Sequence, residues 1–85
     1  MWTDNISIEK ITSGSNKGMY KLYNIGKQVI EYIALLSNGM ETYPAITPGE
    51  YAIASKEDVI ATIKTPLFNN KFSNASYENG SLIIY

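Results

Sequence analysis

The chain has 85 residues and a mass of 9.5 kDa, which suits one small domain with a single core. Hydrophobic residues make up 45% and charged residues 18%, the balance of a folded domain rather than a disordered segment. The formal net charge is -1, all seven cations are lysines, and Arg, His and Cys are absent, which excludes disulfides, thiolate nucleophiles, histidine-based triads and zinc sites of the usual kind.

In chain order, residues 3–13 alternate through Ile6 and Ile8 and then slip phase at Ile11, so a strand ending or distorting near Lys10 is expected. Ser13 to Gly18 is a run of small and polar residues and reads as a turn or loop. Met19 to Ile25, with Tyr20 and Tyr23, reads as a strand buried or paired on each side. Val29 to Leu36 is ambiguous. Val29, Ile30, Ile33 and Leu36 would fit one helical face, whereas its Val, Ile and Tyr content favours a strand. In the strand reading Asn38-Gly39 is a hairpin turn and Thr42 to Ile46 a return strand, with Pro44 at an edge or bend.

Thr47-Pro48-Gly49-Glu50 has the type II recipe, Pro at the second position and Gly at the third. The strand Tyr51 to Ser55 should leave it. Ser55-Lys56-Glu57-Asp58 could be a capping box opening a short helix over 56–64; a polar turn followed by a strand Val59 to Ile63 fits about as well. Residues 69–80 are rich in Asn and Ser and read as a loop with too little apolar surface to order itself. Asn79-Gly80 then turns into a terminal strand, Ser81 to Tyr85, expected to be tied into the sheet. The whole, residues 1–85, is expected to be a mainly β, single-domain antiparallel sandwich or barrel with one possible short helix at 56–64.

Chemistry-bearing patterns are sparse. Glu31, Glu41 and Glu50 could supply an acid and a base for glycoside chemistry only if two of them faced each other across a cleft. Ser55 beside Lys56 or Lys64 lacks any motif of a serine–lysine dyad. No catalytic, cofactor-binding or metal-binding residue is assigned, no cofactor is expected, and the chain is expected not to be an enzyme. Without Arg and without net positive charge, nucleic acid is not an expected partner. No signal peptide is expected, because Asp4 sits in the opening residues and no basic stretch followed by an apolar run precedes a small-residue cleavage site, and no membrane segment is expected, because the longest apolar stretch is far shorter than about 20 residues. Asn5-Ile6-Ser7 and Asn74-Ala75-Ser76 match the N-glycosylation pattern, as chance matches in an Asn- and Ser-rich chain.

Tyrosine offers large, rigid contact area with a polar tip. Tyr20, Tyr23, Tyr32 and Tyr51 fall in expected strands, where core or cross-strand packing would occupy them. Trp2, Tyr43 and Tyr77 are the candidate partner-binding residues.

Tyr23-Asn24-Ile25-Gly26, Val29-Ile30-Glu31-Tyr32-Ile33, Pro44 to Tyr51 and Asp58-Val59-Ile60-Ala61 together resemble small β-sandwich modules of bacteriophage virion proteins, decoration and fibre-associated domains among them. The resemblance covers about half of the chain and lies in turns and strands. It implies a non-enzymatic structural protein of a phage particle, located in the virion and binding other virion proteins or copies of itself, with no small-molecule substrate. Two other readings stand beside it: a phage-encoded inhibitor that blocks a bacterial protein in the host cytoplasm, and a carbohydrate-binding module that stacks sugars on Tyr43, Tyr77 and Trp2.

Overall fold

The structure is a computed structural model that describes residues 3–31, 33–36, 39–64 and 70–85. Strand β1, Thr3–Lys10, pairs antiparallel with β2, Tyr20–Asn24, through Ile6–Asn24, Ile8–Leu22 and Lys10–Tyr20. The connecting loop is closed by backbone hydrogen bonds from Ile11 N–H to Met19 O and from Gly18 N–H to Ile11 O, each 2.9 Å. On its other side β2 pairs with β5, Tyr51–Ala54. Strand β6, Asn70–Phe72, adds to the far side of β1 in parallel, giving a four-stranded sheet in the order β5-β2-β1-β6.

Period-two alternation then sorts the side chains. Ile6, Ile8, Tyr20, Leu22, Ala54 and Phe72 are buried on one face of this sheet, together with Val59 and the bridged pair Ile30 and Ile46. Ser7, Glu9, Lys21, Tyr23, Tyr51 and Ile53 alternate onto the opposite face, and none of them is buried.

Two hairpins complete the strands. In the first, β3 (Ile33–Leu36) pairs with β4 (Gly39–Thr42). The return strand thus starts at Gly39, opposite Leu36, rather than at Thr42, and Gly39 belongs to the strand rather than to the turn. Of the expected strand Thr42 to Ile46, Thr42 ends β4 and Ile46 forms an isolated bridge with Ile30; between them Pro44 can offer no N–H to a ladder. In the second hairpin β7 (Ala75–Glu78) pairs with β8 (Ser81–Ile84) around Asn79 and Gly80, whose φ values of 51° and 80° suit a tight two-residue turn. The terminal strand therefore pairs with β7 and not with the main sheet, while Leu82 and Ile84 pack against the core.

The Asn-rich run is not the loop its composition suggests, since it holds β6 and β7. Its ordering comes from distant backbone. Ser73 N–H donates to Ile6 O at 2.8 Å, and the Asn74 side chain accepts from Ile8 N–H at 2.9 Å and donates to Ile8 O at 3.0 Å.

Residues Lys56–Lys64 form helix α1. Ser55 Oγ accepts Asp58 N–H at 3.1 Å, the N-cap bond that the sequence anticipates. Val59, Thr62 and Ile63, spaced three and four apart, share the inward face: the first two are buried and Ile63 packs on the core. That face needs helical spacing, which decides the segment against a strand. Glu57 and Asp58 in the first turn and Lys64 in the last complement the helix dipole. The helix packs against β3, β7 and β6. A mainly β fold with one short helix at 56–64 is thus what the chain adopts.

Asn24, at the end of β2, is the buried polar junction of the fold, 2% exposed. Its Nδ2 donates to Gln28 O at 2.6 Å and to Ile46 O at 2.8 Å, while its Oδ1 accepts Gly26 N–H at 2.9 Å. Its backbone accepts Gly49 N–H and donates to Glu50 O, both at 3.0 Å. The type II turn is present as expected: Glu50 N–H donates to Thr47 O at 2.9 Å and Gly49 has φ 83°. One asparagine thereby ties the 25–30 loop, the Ile46 segment and this turn to the sheet.

Candidate interaction surface

The face of the four-stranded sheet that the core does not use carries an aromatic pair. The register sets two cross-strand rows on it: Ser7, Tyr23 and Tyr51, and beside them Glu9, Lys21 and Ile53. The Tyr23 and Tyr51 rings are 5.3 Å apart at an interplanar angle of 52°, a tilted aromatic pair. Lys21 Nζ lies 5.0 Å from the Tyr51 ring centroid, in cation–π range. Tyr51 is 48% exposed, and it stands on the outermost strand.

Beyond the end of β2, Ile25 and Val29 are each 56% exposed in the loop that Asn24 anchors. The tyrosine pair therefore sits on strands held rigidly by the core face, and the exposed aliphatics sit on a loop pinned at both ends. Chemically this arrangement offers apolar area with hydroxyl and ammonium groups at its margin. It suits recognition of another surface and holds no nucleophile–base pair.

The residues singled out from sequence are placed elsewhere. Tyr43 follows β4, is half-buried and packs against the core. Tyr77, in β7, is half-buried with Lys64 Nζ 5.3 Å from its ring centroid, so the helix end partly covers it. Neither belongs to the Tyr23–Tyr51 face. Trp2 lies outside the described residues. Tyr23 and Tyr51 do make the cross-strand contact expected of strand tyrosines, but on the open side, and the register that places them there depends on pairing between distant segments.

The hairpin β7–β8 carries a second exposed polar group. Ser76 Oγ and Tyr85 Oη are 2.7 Å apart, Ser76 Oγ donates to Glu78 Oε2 at 3.0 Å, and Tyr85 Oη donates to the same oxygen at 3.3 Å. Together with Tyr85 N–H donating to Asn74 O at 2.8 Å, these bonds fasten the last residue to the hairpin. Ile83, 36% exposed, emerges on the same outer face.

Ser55 Oγ caps α1 by accepting Asp58 N–H. Glu31 and Glu50 are both exposed rather than enclosed in a cleft, and the Glu41 side chain lies outside the described part. The amide of Asn74, the acceptor of one glycosylation pattern, is engaged by Ile8 at both ends. Among the described residues no three acidic side chains gather as a metal site. No helix among them is long and apolar enough to cross a membrane. No protein-family model, curated protein or solved structure matches the chain.

Proposed function

We propose that this protein is a non-enzymatic structural component of a phage particle, a decoration, minor capsid or fibre-associated protein, that acts by protein–protein contacts through the open face of its four-stranded sheet. The observation that carries the contact role is the Tyr23–Tyr51 pair: two rings on rigid strands, one of them half-exposed, with Lys21 and Ile53 beside them. Aromatic side chains that are already ordered give up little conformational entropy on binding and so contribute strongly to interfaces. The virion assignment rests on the resemblance of the turn-and-strand stretches around 23–33 and 44–51 to phage virion modules; the fourth stretch, Asp58 to Ala61, is a strand in such modules and lies in helix α1 here. A repeated lattice would let modest affinity at each copy add up through avidity.

The test is the copy number of the polypeptide in density-gradient-purified particles of its source, measured by quantitative mass spectrometry. Many copies in simple ratio to the major capsid protein support a decoration or capsid role, and a few copies support a tail or fibre position. Absence from particles together with abundance in infected cells would overturn the virion reading in favour of an inhibitor of a host protein.

A further inference from the structure

The hydrogen-bond phase of β5 decides which of its peptide groups are spare. Asn24 N–H donates to Glu50 O at 3.0 Å, and this pair continues the register in which Leu22 lies opposite Ala52 and Tyr20 opposite Ala54. Hydrogen-bonded and non-bonded pairs alternate along an antiparallel ladder. The peptide groups of Ala52 and Ala54 therefore point at β2, and those of Tyr51 and Ile53 point away from it. β5 is the outer strand of its sheet, and among the described residues no hydrogen bond from a loop or turn reaches Tyr51 or Ile53.

Natural edges are commonly guarded by Lys, Pro or bulges. The strand Tyr51-Ala52-Ile53-Ala54 has no charge, no proline and no break in its register with β2. Its spare peptide groups are also arranged symmetrically about Ala52.

We propose that a second copy of the chain pairs its own β5 antiparallel to this one, about a two-fold axis through Ala52, joining the two four-stranded sheets into one. The proposal rests on the contact role given above and adds a first partner at the edge of that sheet, leaving its open face to other partners. In this register Tyr51 and Ile53 of opposite copies exchange N–H and C=O, using every outward-pointing peptide group of the strand. Their side chains meet as an aromatic and β-branched cross-strand pair, a favourable combination. No like charges are brought face to face, because the nearest ammonium, that of Lys21, lies over Tyr51 of its own copy. The axis stands perpendicular to the sheet, so the Tyr23–Tyr51 pairs of both copies lie on one continuous open face. Such an interface is isologous and closes on itself, whereas pairing β5 of one copy with β6 of the next would propagate into a filament.

Sedimentation of the full chain, with amide hydrogen exchange read at Tyr51 and Ile53, tests this. The expected result is a species of about twice 9.5 kDa in which both amides are protected, with protection falling on dilution. Tyr51→Lys/Ile53→Lys sets like charges opposite each other across the axis and should give a monomer. Tyr51→Lys/Ile53→Glu sets opposite charges there and should keep the dimer, which fixes the register. A monomeric wild type, an open-ended series of oligomers, or a dimer whose Tyr51 and Ile53 amides exchange freely would overturn the proposal. Those readouts on the wild type stand even where a double variant fails to fold. They are also independent of particle copy number, so failure here and failure of the virion reading are separable.

Discussion

The side chain of Asn74 pairs with the backbone of Ile8 as a strand residue would, accepting its N–H at 2.9 Å and donating to its C=O at 3.0 Å. The two residues are 66 positions apart, and the pairing continues the parallel edge that β6 and Ser73 make against β1. It fixes where the β7–β8 hairpin begins, because the Asn74 carbonyl in turn receives Tyr85 N–H.

Asn74→Ala should therefore destabilise the protein by about 1–3 kcal/mol, since it strands both backbone groups of a buried β1 residue. Asn74→Asp keeps the acceptor but sets a carboxylate oxygen against Ile8 O, and should cost at least as much at neutral pH. Urea midpoints of the two variants check this. A shift equivalent to less than about 0.5 kcal/mol for Asn74→Ala, the range of ordinary surface substitutions, would contradict the role.

At Asn24 the consequence depends on pH. The Nδ2 group donates to Gln28 O and Ile46 O, so Asn24→Asp would place a buried carboxylate oxygen against two carbonyl oxygens. Burial and this repulsion raise the folded-state pKa of the new acid above its unfolded value of about 3.9. The protonated form can donate to one carbonyl. The variant should thus be most nearly native below pH ~3.9 and lose stability as pH rises through the raised pKa. Subtracting wild-type from variant stability across acid and neutral pH measures it, and a difference that shrank as pH rose would have the wrong sign.

The Tyr23–Tyr51 contact should be worth about 0.5–1.5 kcal/mol as a coupling energy in a double-mutant cycle of Tyr23→Ala and Tyr51→Ala. In a Tyr51→Lys/Ile53→Lys background the contact is already gone, so the cycle belongs in the otherwise native chain at a fixed protein concentration. Strict additivity would mean that the rings do not support each other.

Gly49 and Ser55 report on local chemistry alone. Gly49 has φ 83°, and an added Cβ would meet no heavy atom within 4 Å. Gly49→Ala should consequently cost about 1–2 kcal/mol from backbone strain without any clash, and Gly49→Asn should cost less. Ser55→Ala removes the cap on Asp58 N–H and should cost about 0.5–2 kcal/mol, with Ser55→Asp retaining most of the stability. Thermal unfolding of the four variants ranks them, and Gly49→Asn falling below Gly49→Ala would refute the strain argument.

Chemistry that completes within a few residues is legible in the chain alone. The turn at Thr47 to Glu50 closes on its own carbonyl, and Asn79-Gly80 supplies its own left-handed backbone. The single core and the absence of Arg, His and Cys are likewise compositional. The tertiary structure decided everything whose partner lies far along the chain. Asn70 to Glu78 reads as a loop because its polar groups have no local use, yet β1 supplies the backbone that turns part of it into a strand and anchors Asn74. Val59 to Ile63 could have been strand or helix until the core required the spacing of a helical face. Tyr23 and Tyr51, 28 positions apart by their numbering, meet on the open face only because β2 and β5 pair in one particular register, and a register is a relation between segments that neither segment encodes alone.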